Sequence, residues 1–147
     1  MDGYMRPNRS MPPPTVIPVL SYPDVRAAVA WLTASFGFAE RVRIGEDHRA
    51  QMSVGAAAVI VADTGGGRSA PDPAVKTCLV MVRVADVQAL CDRAAGQGGI
   101  ILMGPTEFAF GERQCTIRDP WGHHWTFSQT IADVAPEEWG GETLDPW

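Results

Sequence analysis

Lysine is nearly absent from this chain: eleven of its twelve basic residues are arginine, and Lys76 stands alone. Covalent chemistry through a lysine amine therefore has one candidate and no supporting context. A basic excess is missing too. The 147 residues carry a net charge of −5, and Asp133, Glu137, Glu138, Glu142 and Asp145, in a tail with no Lys or Arg, account for it. Residues 1–130 hold twelve acids against twelve bases. Without a basic stripe, nucleic acid is not an expected partner. No apolar run is long enough to span a membrane; the longest, around Ala56–Ala62, is strand-sized. Residues 1–14, MDGYMRPNRSMPPP, lack the apolar segment of a signal peptide and read as a flexible leader. The expected location is the cytoplasm. Cys78, Cys91 and Cys115 are odd in number and form no Cys-x-x-Cys. Each falls in an apolar stretch and reads as a small buried thiol.

What is present is a globular composition, with 46% hydrophobic residues and 20% charged, in a chain long enough to bury one core. Thr15–Leu20 is β-branched and apolar, a strand signal. Pro23 and Asp24 open a helix in which Val25, Ala28, Val29, Leu32 and Phe36 recur at helical spacing up to Gly37. Strands over 39–44, 48–54 and 56–62 follow, then a Gly- and Pro-rich loop, TGGGRSAPDPA. Lys76–Val84 restarts the pattern. Asp86 opens a second helix carrying Val87, Leu90, Cys91 and Ala94 on one face. Ile100–Met103, Gln114–Arg118 and His123–Gln129 read as three further strands. The order is βαβββ twice. Asp24 and Asp86 are 62 residues apart, as are Gly37 and Gly99, while Gly55 and Gly122 are 67 apart. The second half therefore carries about five extra residues near Pro105–Gly111.

The pieces Tyr22-Pro-Asp-Val-Arg-Ala-Ala-Val-Ala-Trp-Leu, Phe36-Gly-Phe, Val84-Ala-Asp-Val-Gln-Ala-Leu, Phe110-Gly-Glu-Arg and Arg118-Asp-Pro-Trp-Gly-His-His-Trp-Thr-Phe, in this order, resemble the vicinal oxygen chelate superfamily. That superfamily includes glyoxalase I, bleomycin-resistance proteins and extradiol dioxygenases, and the likeness is greatest to its glyoxalase/bleomycin-resistance branch. The resemblance implies an α+β fold: two tandem βαβββ modules, residues 15–63 and 76–130, forming a curved mixed sheet with a concave cleft. It also implies a homodimer. Residues 131–147 are left as an acidic tail in which Trp139 and Trp147 are placed to clip onto the body or onto a partner chain.

Metal-using members of the superfamily place His, Gln or Glu in the first strand of each module and Glu or His in the last. Carried over residue by residue, these positions are Ile17, Leu79, Val59 and Thr126. Three hydrocarbons and a hydroxyl are not a ligand set for a divalent cation. The adjacent histidines at 123 and 124 do not rebuild one, because neighbours on a strand point to opposite faces. No metal and no cofactor is expected.

With Thr126 toward the cleft, His124 and Ser128 share its face, above an apolar floor including Ile17, Val59, Leu79 and Met81. A few polar groups over apolar walls is the usual chemistry of a small-molecule pocket; the alternative is a filled core. Arg113 is placed to offer a cationic fork to a ligand or to pair with Glu107 or Glu112. Trp121, at the tip of the Asp-Pro-Trp-Gly turn, offers a stacking surface. The resulting expectation is a metal-independent protein that binds a small molecule, with sequestration of a toxic compound as one use. The alternative is a glyoxalase-like lyase, isomerase or dioxygenase working in the same cleft.

Overall fold

A computed structural model describes residues 5–144; Trp147 lies outside the described residues. The chain divides after Pro71 into two compact units. The first contains β1 (Val19–Ser21), α1 (Val25–Phe36), β2 (Ala39–Ile44), β3 (Arg49–Val54) and β4 (Ala57–Ala62). The second contains β5 (Val80–Arg83), α2 (Val87–Gly96), β6 (Ile100–Phe108), β7 (Glu112–Arg118) and β8 (His124–Thr130), followed by a 3-10 turn at Pro136–Trp139. The strand orders are β1-β4-β3-β2 and β5-β8-β7-β6. In each unit the first strand runs parallel to the last and the other pairs are antiparallel. The duplicated βαβββ pattern is thus an α+β fold built from two four-stranded mixed sheets.

Both helices start for the same reason. Asp24 accepts the Ala27 N–H at 2.9 Å and Asp86 accepts the Ala89 N–H at 3.0 Å, so each carboxylate satisfies a donor that the first turn leaves unpaired. A second acceptor arrives from further along each unit: Asp47 takes the Val25 N–H at 2.7 Å, and Gln129 takes the Val87 N–H at 3.0 Å. Gly37, at φ 76°, ends α1 in the left-handed conformation that a Cβ disfavours.

Arg26 on α1 reaches Glu40 on β2 at 2.6 Å, which marks the side of the first sheet that α1 covers. Glu40 pairs with Met52, and Met52 with Val59, so all three share that side. Leu20, Met52, Val59 and Val61 are buried there with Val25, Val29, Leu32 and Phe36 of the helix. In the second unit the equivalent core is Cys115, Ile117, Trp125 and Phe127 with Val87, Cys91 and Ala94. Burial, with Cys91 alongside, pushes the Cys115 thiol up to about 12, so it stays protonated and unreactive. Cys78 departs from the expectation of three buried thiols: it is exposed, in the segment before β5.

Three strands differ most in their bounds from the sequence expectations. The first strand starts at Val19, not Thr15, because Pro18 has no N–H to give; its carbonyl still accepts from Ile60 at 2.9 Å. The other first strand, β5, also starts later than expected, at Val80 and not Lys76, with no proline between to account for it. By contrast β6 continues to Phe108, with irregular pairing after Ile101 and Met103, and forms a long hairpin with β7. The extra residues of the second half lie in this hairpin. Its tip holds the acidic tail, since Gly111 accepts the N–H groups of Ile131 and Ala132 at 2.8 and 3.2 Å. Trp139 packs on Phe110 with ring centroids 5.2 Å apart.

The Asp-Pro-Trp-Gly segment is a turn held by a buried carboxylate. One oxygen of Asp119 accepts the N–H groups of Trp121 and His123 at 3.1 and 3.0 Å, and the other accepts the Trp125 indole N–H at 3.2 Å. Replacing Asp119 with Ala leaves these donors, one of them on a fully buried side chain, without their acceptor. The expected loss is about 2–4 kcal/mol in urea unfolding.

Glu40 also receives Arg43 at 2.8 Å, and the two guanidinium hydrogen bonds, that of Arg26 foremost, hold its carboxyl down at about 2. A carboxyl whose folded value lies below its unfolded one stabilises fully above the unfolded value, and the gain is lost as pH falls through the folded value. Arg43 is half-exposed and water screens it, so the Arg26 contact carries most of the triad's modest contribution. Wild-type stability should therefore fall between about pH 4.5 and pH 2, and Glu40→Gln should flatten that limb of the curve while lowering stability at pH 7.

Candidate functional site

The side of each sheet away from its helix remains for function. In the second unit, strand pairing puts His124 opposite Arg118, Thr126 opposite Thr116 and Ser128 opposite Gln114, while Met81 and Arg83 of β5 flank Thr126 and Ser128. Paired residues share a face, so these side chains form one continuous surface. It is a polar ladder. The hydroxyls of Thr116 and Thr126 lie 2.9 Å apart. Gln114 donates its amide N–H to the Ser128 hydroxyl at 3.0 Å, and that hydroxyl donates to Glu112 at 2.7 Å. Arg83 donates to the Thr130 hydroxyl at 2.9 Å. A hydrogen bond from Thr130 lowers the Glu112 carboxyl most, helped by Ser128 and by the Arg83 charge. That makes Glu112 a fixed acceptor and a weak base. Ser128 gives its proton to Glu112, so no nucleophile–imidazole pair forms with His124.

The expected site residues separate into two groups. His124, Thr126, Ser128 and Met81 share the ladder face, Thr126 and Ser128 at 4% and 2% exposure and Met81 at 56%. Leu79, exposed, lies just before β5. Trp121 is half-buried at the turn tip, where its N–H is held by Asp119. Arg113 falls on the opposite side: it pairs with Gln129 and Glu107 across the strands, and its guanidinium bridges the Glu107 carboxylate. Val59 needs correction. It is 3% exposed and faces α1, because the residue matching Thr126 is Ile60, which pairs with Val19 as Thr126 pairs with Met81. Aligning the two halves on Gly55 and Gly122 puts the register one residue out, which sends a strand residue to the wrong face.

Glu112, Gln114, Thr116 and Arg83 were missed, although β7 does alternate in sequence. Glu112, Gln114, Thr116 and Arg118 interleave with Arg113, Cys115 and Ile117. Only the second set meets the core, which leaves the first to the open face.

In the first unit, residues 5–17 cross the sheet side away from α1, and Gln51 donates to the Ser10 carbonyl at 2.9 Å. Between this segment and the sheet lies a cavity of about 1070 Å³, with Ile17 in its wall.

A divalent cation does not fit the positions at which the superfamily binds one. With the register corrected they hold Ile17, Ile60, Leu79 and Thr126, three hydrocarbons and a hydroxyl. Among the described residues no three His, Cys, Asp or Glu side chains are grouped as ligands. His48 is engaged, its Nδ1 lying 2.9 Å from an Asp63 oxygen, and Asp63 also accepts from Arg68.

Fold and strand positions together match one family. The model of the Glyoxalase/Bleomycin resistance protein/Dioxygenase superfamily matches residues 16–127, and the chain belongs to that superfamily. It is similar to the crystal structure of TioX from Micromonospora sp. ML1, with 32% identity, a TM-score of 0.66, and coverage of 78% of this chain and 97% of that one. A glyoxalase/bleomycin resistance protein/dioxygenase family enzyme from Burkholderia phytofirmans PsJN shares the fold, with a TM-score of 0.68 at 16% identity over 78% of this chain and 97% of that one. The protein Mb0911c of Mycobacterium bovis is 26% identical over 135 residues, 85% of this chain and 89% of its own length. No helix among the described residues is long and apolar enough to cross a membrane.

The Thr116–Thr126 contact sets up a double-mutant test. Thr126→Val strands the Thr116 hydroxyl and should cost ~1 kcal/mol. Once that partner is gone, Thr116→Val should cost less in the double variant than alone, and strict additivity in urea melts would show that the two hydroxyls do not interact.

Proposed function

We propose that this protein is a metal-independent binder of a small organic molecule, acting in the cytoplasm as a homodimer, with sequestration of a toxic compound as its use. The observation that carries this reading is the substitution pattern at the superfamily's cation positions. Thr126 and Ile60 occupy the matched last-strand sites of the two units, and neither supplies the carboxylate or imidazole that a chelate reaction needs. What remains on the side of the second sheet away from α2 is a buried set of mutually paired hydroxyl and amide groups beside the exposed hydrocarbon of Met81, polar anchors against an apolar edge. His124, Thr126, Ser128, Met81, Leu79 and Trp121 are the contacts we assign to the ligand in the second unit, while Ile17 belongs to the cavity of the first. Arg113 is left out, because its guanidinium is committed to Glu107 on the other side of the sheet. The exposed side chains of Met81, Ile100 and Leu102 support the dimer.

Two measurements on the purified full chain test this. Elemental analysis should find no stoichiometric divalent metal, and adding Zn²⁺, Ni²⁺, Mn²⁺ or Fe²⁺ should not raise Tm beyond a buffer control. A thermal-shift screen across charged and neutral aromatics should yield at least one stabilising class. A bound metal at one equivalent per chain would overturn the reading.

A further inference from the structure

The cavity of the first unit has a chemistry of its own. Its walls are largely hydrocarbon, from Met5, Met11, Ile17, Ala58 and the proline run at 12–14, with Gln51 and Ser53 of the sheet among its polar lining. Among the described residues its charged lining is Arg6, Arg9 and Arg41, with no Asp or Glu. This local sign is opposite to that of the chain, whose net charge is −5. Arg41 is also oriented: its Nε donates to the Ser53 hydroxyl at 3.3 Å, which steadies the guanidinium and leaves its terminal nitrogens to other acceptors. The nearby carboxylate of Glu40 is on the α1 side, held by Arg26 and Arg43, and does not neutralise the cavity.

We infer that this cavity is the binding site for an apolar monoanion, a carboxylate carried on an aromatic or alkyl body, with Arg41, Arg9 and Arg6 taking the anionic group and the proline-methionine wall taking the body. Three arginines lining one largely apolar cavity, with no acid among its described lining, disfavour a cationic ligand and give a neutral one no charge to meet. An anion meets that charge and gains charge-assisted hydrogen bonds of the kind a guanidinium fork makes to a carboxylate. At about 1070 Å³ the space suits a molecule of drug size. The segment 5–17 supplies two of the three arginines and one wall, so it is part of the site as well as its cover. This inference rests on the reading of the chain as a small-molecule binder and adds a second place for a ligand, in the first unit, with its chemical class.

The test is calorimetric titration of the full-length protein with 1-naphthoate and dodecanoate, each beside its neutral amide. We expect the acids to bind at least ~10-fold more tightly than the amides, and the preference to shrink as salt is raised. Arg41→Gln and Arg9→Gln should each weaken the acids ~10-fold and leave the amides unchanged. Both side chains are exposed, so the fold should survive, as far-UV circular dichroism will report. Deleting residues 1–14 should abolish the acid preference. Equal binding of acid and amide, or acids indifferent to both arginine variants, overturns the anion site. Tm shifts with neutral or cationic aromatics but none with either acid would also overturn it, while leaving the small-molecule reading intact; a stoichiometric metal strikes that reading instead.

Discussion

One helix covers a sheet that has two faces, and this constraint organises each unit. Residues alternate along a strand, so once α1 or α2 has taken one side, the alternate residues are committed to the other, except where a bulge such as that between Glu40 and Val42 shifts the count by one. The Arg26–Glu40 contact in the first unit shows which side is which, and Cys115, Ile117, Trp125 and Phe127 show it in the second. The fate of the two neighbouring histidines, of Arg113 and of Val59 follows from parity. None of them was placed by its own chemistry.

The two units treat the open side differently. The second presents its own polar side chains, tied into a ladder from Thr116 and Thr126 through Gln114, Ser128 and Glu112 to Thr130 and Arg83. The interaction holds hydroxyls and an amide in set positions, so their orientation is fixed before anything binds. The first carries Val19, Val42 and Ile60 there and draws residues 5–17 across them, joined through Gln51. Apolar sheet surface left to water is a liability, and a proline-rich segment with few backbone donors can cover it without joining the ladder of strand hydrogen bonds.

Most of the fold was legible because its signals are local. Asp24 and Asp86 sit where capping requires them, and hydrophobic period changes from helix to strand at Gly37 and near Gly99. The central strands of the first unit were placed within a residue. What failed was non-local. Pro18 delays β1, β6 overruns its apolar stretch because β7 pairs with it, and the register between the halves cannot be read from the spacing of their glycines. The open face suffered most. Thr126, Ser128 and His124 were assignable because Trp125 and Phe127 beside them are too large and apolar to be anywhere but the core. Val59 had no such neighbour, since Ala58, Ile60 and Val61 are all hydrocarbons and any parity looks the same. Residues 5–14 carry no period of either kind, so their path over the sheet leaves no trace in sequence.

The Asp-Pro-Trp-Gly turn shows why a motif associated with chelate chemistry can outlast the chelate. Its aspartate does structural work: buried among the N–H groups of Trp121, His123 and Trp125, it fixes how β8 enters the sheet. That task is independent of the residue seven places on, where the superfamily's metal users need a donor and this chain has Thr126. A carboxylate left at that position without its three partners would be an unpaired charge on a surface only 4% exposed, costing several kcal/mol. A threonine there finds Thr116 across the strand and is satisfied as a neutral pair. Once the other donors are hydrocarbon, physical chemistry therefore favours the hydroxyl over the acid.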